Sequence, residues 1–392
     1  MTSDPLLLHE TVRKFLRFYR FFAIVLLNTV VLLVVANIVL YLGLCLWHGL
    51  VGRPIPAFPE QFLPAVYPDF TPQEKQVLAA ETWLRPQVFE DYVLFKERPF
   101  HGKYVNVSSF AFREVRNQGP WPPDAGNLNV FAFGGSTMFG WSLPDWQTIP
   151  SCLQEEFSAH SKKRVCVYNF GACGYYSAQE RILLERLLGK GLKPDIAIFL
   201  DGLNDLSLPN DNETPGFQEW VDTAFASSRR MTVSYLLWIT PMARVARDVR
   251  VRLMGQTDST VFATQEEISL MIERYRRSKV LAEAACHAFG ISSVFVWQPV
   301  PCYEYSTALD PFFHEQTRRD YQNHSAGYAR MDQTAKTGAL GRNFLWCADL
   351  QREERECLYV DDSHYTAKFS RKIAAAITRM CLERGLMKSE SE

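Results

Sequence analysis

From Phe21 to Trp47 the chain is apolar almost without interruption, broken only by Asn28, Thr29, Asn37 and Gly43. At a rise of about 1.5 Å per residue such a run crosses the roughly 30 Å of bilayer hydrocarbon as one helix. Beyond it the pattern changes to short apolar runs rich in β-branched and aromatic residues, at Val130–Phe133, Val165–Phe170, Ile196–Leu200, Ser292–Trp297 and Phe344–Ala348. Bounded by turn formers and separated by longer mixed segments, these runs predict buried parallel strands in βαβ units. Thr71 with Glu74, Ser177 with Glu180 and Thr264 with Glu267 stand at capping-box spacing. They open helices through about Leu84, over Ile182–Leu188 and to about Ala288. Gly189, Gly191 and Pro194 close the second of these, and Thr366 caps a last helix over Ala367–Arg384. The predicted architecture is α/β: a three-layer, flavodoxin-like sandwich with helices on both faces of a five-stranded parallel sheet, preceded by one N-terminal transmembrane helix.

Charge orients the apolar run. Arg13, Lys14, Arg17 and Arg20 precede it, whereas only Arg53 follows closely. The positive-inside rule therefore keeps residues 1–20 in the cytoplasm and exports the chain beyond Trp47, to the periplasm if the host is Gram-negative. The run is too long for a cleaved signal peptide and no small-x-small site follows, so residues 21–47 read as an uncleaved anchor. Residues 48–99 hold a stiff stalk marked by Pro54, Pro56 and Pro59 and then the helix after Thr71, a spacer or lid. The main domain is expected over residues 100–385, with a helical insertion at 206–263 and a polar tail at 386–392. The centre of the insertion, Thr232–Leu253, joins apolar Tyr235–Ile239 to Arg244, Arg247, Arg250 and Arg252, with Pro241 as a kink. A helix packed on its own domain is the first reading; a helix touching the membrane surface and a wall of a substrate groove are the alternatives.

The 392 residues, 47% of them hydrophobic, suffice for one large core with an appendage, and a formal charge of −1 argues against a nucleic-acid partner. No Cys-x-x-Cys pair or His-Glu-x-x-His helix suggests a metal, and no cofactor is expected. Cys45 falls in the apolar run, leaving eight cysteines that an oxidising compartment would allow to pair; Cys347 with Cys357 is the preferred bridge, stapling the loop that leads to Asp361. Asn106, Asn212 and Asn323 begin glycosylation sequons.

Three of the strand runs lead into motifs. Gly134-Gly135-Ser136-Thr137 follows the first, Gly174 the second and Gly202-Leu203-Asn204-Asp205 the third, while Asp361-Asp362-Ser363-His364 precedes the last helix. Motifs beyond the carboxyl ends of neighbouring parallel strands can share one crevice. Ser136, after two glycines, is the candidate nucleophile; His364 is the candidate base and Asp361, three residues earlier, the group that orients its ring, with Asp362 as rival. The Ser136 and Gly174 N–H groups and the Asn204 amide are the donors available to a developing oxyanion.

With these residues in place, the chain resembles the SGNH hydrolase superfamily, also called GDSL-like lipases and acylhydrolases, over roughly residues 100 to 385. The four letters fall on Ser136, Gly174, Asn204 and His364, and Asn169-Phe170-Gly171-Ala172-Cys173-Gly174 matches the second block. Gly135 stands where the name-giving pattern has aspartate, as in a Gly-Gly-Ser-Thr branch of the superfamily. The resemblance implies a membrane-anchored, extracytoplasmic serine esterase that cleaves the O-acyl group of a carbohydrate or lipid. An O-acetyltransferase acting on an envelope polysaccharide, and a catalytically silent binding or assembly protein, are the alternatives.

Overall fold

The computed structural model describes residues 5–51, 66–85, 87–207, 263–314 and 321–387, with a few more at 240–249 and 317–318. The expected stalk and most of Thr232–Leu253 lie outside the described residues. Two compact units are present: Met1–Pro54 with Glu219–Ser259, and Ile55–Gln218 with Thr260–Glu392.

The first unit carries α1 (Pro5–Val51), whose stretch Val12–Trp47 is long and apolar enough to cross a membrane. Side chains along it, among them Leu26, Leu32 and Val39, are more than half exposed, as lipid-facing residues would be.

The second unit begins with α2 (Pro72–Trp83), β1 (Gln87–Glu90), β2 (Leu94–Glu97), β3 (Phe100–His101) and β4 (Asn106–Val107). It continues with β5 (Leu128–Gly134), α3 (Ser136–Phe139), α4 (Ile149–His160), β6 (Val165–Asn169), α5 (Ser177–Gly189) and β7 (Ile196–Asp201). After the insertion come α6 (Gln265–Ala288), β8 (Ser292–Trp297), α7 (Gln322–Lys336), β9 (Phe344–Trp346) and α8 (Ala367–Glu383). Strands β6, β5, β7, β8 and β9 lie side by side in that order, and every pairing is parallel. This is the flavodoxin-like order 2-1-3-4-5, whose switch point falls between its first and third strands, here β5 and β7.

Period-2 alternation divides the core between the faces of the sheet. Val130, Ala132, Val165, Val167, Ile196, Ile198, Leu200, Val294 and Val296 pack with α4 and α8 through Leu153, Phe157, Phe369, Ile373 and Ile377. Phe131, Phe133, Tyr168, Phe199, Phe295 and Trp297 face α5, α6 and α7. On that side Phe133, Phe199 and Phe295 stack across three strands at 5.1 and 4.9 Å.

The expected capping boxes at Thr71 and Thr264 form, and Thr366 accepts the Phe369 N–H. The one at Ser177 does not: Tyr176 is the N-cap, Ser177 turns its hydroxyl to Asp205 and Glu180 is buried. The Cys347–Cys357 bridge is absent too, all nine cysteines being free. Cys347 follows β9 directly, inside the α4/α8 core, whereas Cys357 packs in a different cluster and directs its thiol to the Tyr359 carbonyl at 3.3 Å.

Residues 66–97 are built into the second unit, so a boundary at residue 100 falls inside it. Glu81 of α2 accepts the N–H groups of Lys103, Tyr104 and Val105 at 2.7, 2.8 and 3.0 Å. Val66, Tyr67 and Leu78 pack in one cluster with Phe139, Leu143 and Val360. Arg113, its guanidinium fully buried, donates to Asp145 at 2.9 Å and to the carbonyls of Phe139, Gly140 and Leu143, holding the loop after α3. Arg113→Met would take one donor from that carboxylate, which keeps Asn106, and from three carbonyls, of which that of Phe139 keeps Asn169. A loss of about 3–5 kcal/mol is expected, measured as a lower denaturant midpoint for the detergent-solubilised protein.

Candidate active site

Strand β5 ends at Gly134, and Ser136 opens α3 after Gly135. Thr137 Oγ1 donates to Gln298 Oε1 at 2.9 Å, tying this short helix to the end of β8. Ser136 itself is buried but for 7% of its surface. Its Oγ lies 2.7 Å from His364 Nε2, a contact between residues 228 positions apart. On the other side of the ring, Nδ1 is 2.7 and 2.8 Å from the two Asp361 oxygens.

The carboxylate is held as well as holding. Asp361 Oδ1 accepts the N–H groups of Ser363 and His364 at 3.0 and 2.8 Å, and the Val360 N–H donates to the His364 carbonyl, folding the loop on itself. Burial pushes the Asp361 carboxyl up, but His364 and these hydrogen bonds outweigh it and leave it below the ordinary aspartate value. Asp362, the rival, accepts the Ser363 hydroxyl at 3.2 Å, and burial beside Asp361 raises it. Trp141 stacks on the imidazole at 5.9 Å and meets Trp83 edge-on at 5.1 Å.

Asn204 follows β7 across the switch point. Its Nδ2 donates to the Tyr175 carbonyl at 2.6 Å, and a Cβ at residue 135 would lie 2.4 Å from that nitrogen. Glycine at 135 is thus the space into which the Asn204 amide fits, and an aspartate there would displace it. Gly174 adopts φ +82°, a conformation that favours glycine, beside Phe95 of β2. Among the described residues, the N–H groups of Ser136 and Gly174 are spent on no protein acceptor.

Three helices clamp the Asn204 turn. From α5, Ser177 donates to Asp205 Oδ1 at 2.5 Å; from α6, Arg274 donates to the Asp205 carbonyl at 2.6 Å; from α7, His324 Nε2 lies 3.1 Å from the Leu203 carbonyl. A carbonyl can only accept, so Nε2 carries the hydrogen, and burial lowers the His324 ring to about 4, keeping it neutral. Beneath them Glu180, Asp201 and Asp205 are at most 4% exposed. Burial, and next to it the neighbouring acids, raises Glu180 and Asp201 well above ordinary carboxylate values. Asp205 is also raised by burial, with Ser177 and Arg274 opposing.

All five residues singled out in the sequence therefore fall near the carboxyl ends of β5, β6 and β7 or on the loop before α8, and Ser136, His364 and Asp361 touch in series. Arg113, Trp141, Arg274 and His324 were not foreseen. None sits in a motif, and their roles depend on partners far away in the chain. Among the described residues no group of three or more His, Cys, Asp or Glu is arranged to hold a metal.

No family model and no curated protein matches the chain. Solved structures similar to it include a lipase/acylhydrolase from Enterococcus faecalis, at 14% identity over 65% of this chain and 96% of that one, with a TM-score of 0.35. A GDSL-like lipase from Bacteroides thetaiotaomicron is similar at 11% identity over 67% and 92%, with a TM-score of 0.35. The psychrotrophic esterase EstA from a Pseudoalteromonas species is similar at 11% over 67% and 100%, with a TM-score of 0.33. The chemistry rests on this chain's own side chains.

A group whose folded pKa is raised binds its proton more tightly when folded, so stability falls as pH rises above the unfolded carboxylate value of about 4. Glu180→Gln removes that penalty while keeping the shape. Its melting temperature should exceed the parent's at pH 8, by about 2–4 °C for each kcal/mol recovered, and the gap should close toward pH 4 in thermal melts across that range.

Proposed function

We propose that this chain is a serine esterase of the SGNH type, held to a membrane by α1 with its N-terminus in the cytoplasm and its hydrolase unit outside. The observation that carries the chemistry is the hydrogen-bonded series Ser136–His364–Asp361, closed at 2.7 Å on both sides of the ring. A serine hydroxyl is a poor nucleophile at neutral pH until a positioned base takes its proton.

Ser136 Oγ attacks the ester carbonyl carbon as its proton passes to His364 Nε2. Asp361 keeps Nδ1 protonated and steadies the imidazolium that forms. The carbonyl oxygen, now negative, is met by the N–H groups of Ser136 and Gly174 and by the Asn204 amide hydrogen not given to Tyr175. His364 then protonates the departing alkoxide. A water gives its proton to the same nitrogen while its oxygen attacks the acyl carbon, releasing the acid and restoring Ser136. The basic residues Arg13, Lys14, Arg17 and Arg20 ahead of the apolar run support the orientation. An O-acyl group on a carbohydrate or lipid is the ester class proposed.

Ser136→Ala and His364→Ala should each lower turnover of an aryl acetate by about 10³-fold or more with melting temperature unchanged. Asn204→Ala, which removes one oxyanion donor, should cost about 10²–10³ in kcat. Wild-type levels of hydrolysis in Ser136→Ala would end the proposal. Hydrolysis also needs a neutral ring at His364, because an imidazolium cannot serve as base. Asp310 is the nearby acid to separate from it, since burial, with repulsion from Asp361 and Asp362, pushes it up to about 7. The acid limb of the kcat/KM profile should persist in Asp310→Asn.

A further inference from the structure

Glu97 ends β2 with a side chain only 2% exposed, a rare place for a carboxylate. Arg85, 1% exposed, pairs with it at 2.9 Å, so the charge is matched where water does not reach. The acid holds more than this partner. Glu97 Oε2 accepts the Arg85 Nε–H, while Oε1 accepts from the Gln87 amide at 3.3 Å and from the Cys173 N–H at 3.4 Å. Cys173 directly precedes Gly174, whose N–H is one of the oxyanion donors.

The rest of the β1–β2 hairpin meets the same turn. Val93 packs with Ala172 and Tyr175, and the Tyr175 hydroxyl donates to the Phe95 carbonyl. The Phe95 ring meets Tyr175 edge-on at 5.3 Å and would lie 3.6 Å from a Cβ at residue 174. The Tyr175 carbonyl in turn fixes Asn204 Nδ2 at 2.6 Å. Two of the three oxyanion donors, Gly174 and Asn204, are therefore tied to a turn that the hairpin supports. Arg85 reaches the third. Its guanidinium carbon lies 4.3 Å from the centre of the Phe139 ring, on the helix that Ser136 opens, and 5.9 Å from that of Trp141, which stacks on His364.

We infer that Glu97, fixed by Arg85, is a positioning residue for the oxyanion hole, holding the Ala172–Tyr175 turn so that its donors point at the reacting carbonyl. A carboxylate binds an N–H more strongly than a neutral acceptor does, and a misplacement of about 1 Å costs on the order of 10²-fold in rate. Arg85 also offsets a negative charge that would oppose the oxyanion. The inference rests on the esterase reading and adds to it that residues 85–97 belong to the machinery of the site, rather than to a spacer or lid.

The test measures hydrolysis of an aryl acetate by the full-length protein in detergent. Removing the acid alone would strand a buried guanidinium, so the informative variant replaces both partners. Arg85→Met with Glu97→Met leaves no lone charge, and exchanges of that kind are often neutral for stability. Its melting temperature should stay near the parent's while kcat and kcat/KM fall together by about 10-fold or more, the pattern of an interaction made only in the transition state. Tyr175→Phe keeps the ring and loses the hold on Phe95; it should lower both constants several-fold, and it decides the matter if the double variant does not fold. Parental kcat in a folded double variant, or in Tyr175→Phe where that one decides, would overturn the inference and leave the esterase intact. A parent chain without Ser136-dependent hydrolysis would overturn the esterase reading and this one with it.

Discussion

Parallel strands β5 and β7 are neighbours in the sheet, yet the chain leaves them toward opposite sides: from β5 it winds to β6, and from β7 toward β8. The crevice between their carboxyl ends is the one place where backbone from two directions of winding meets without a helix lying across it. Ser136 enters from one lip and Asn204 from the other, and His364 is delivered by the loop before α8. The remaining architecture keeps those three arrivals in register. Arg113 fastens the loop behind the serine, the Ser177, Arg274 and His324 contacts fasten the turn bearing Asn204, and Asp361 fastens the imidazole.

How much of this was legible in the sequence depends on the range of each interaction. The sheet strands showed because the central ones bury both faces, producing continuous apolar runs such as Val130–Phe133 and Ile196–Leu200. The caps at Thr71, Thr264 and Thr366 showed because a cap reaches only three residues along the chain. The Ser177 spacing misled for the converse reason. A hydroxyl that could cap its own helix finds a better acceptor in Asp205, 28 positions away, and periodicity carries no sign of that competition. Likewise the β1–β2 hairpin, with its positive-φ residues Tyr92 and Leu94, has no Asn-Gly or Asp-Gly signal to mark it.

The site residues were legible in kind, though not in support. A serine after two glycines and an Asp-x-x-His block name a chemistry by local pattern. What makes the chemistry geometrically possible is a set of buried charges and polar groups whose partners lie tens to hundreds of positions away. Cys347 and Cys357 show the limit in the other direction: closeness in sequence suggested a bridge, and the fold assigned the two thiols to separate cores.

Trp141 lies nearly parallel to the His364 ring, its plane tilted by only 30°. While the imidazole is neutral this is ordinary packing. Once the ring accepts a proton it becomes a cation over an indole, and the negative quadrupole of that face attracts it, by about 0.5–1 kcal/mol at exposed sites and more where water is excluded. The residue that walls the crevice thereby favours the charged intermediate over the resting state, a second source of electron density for the base beside its carboxylate.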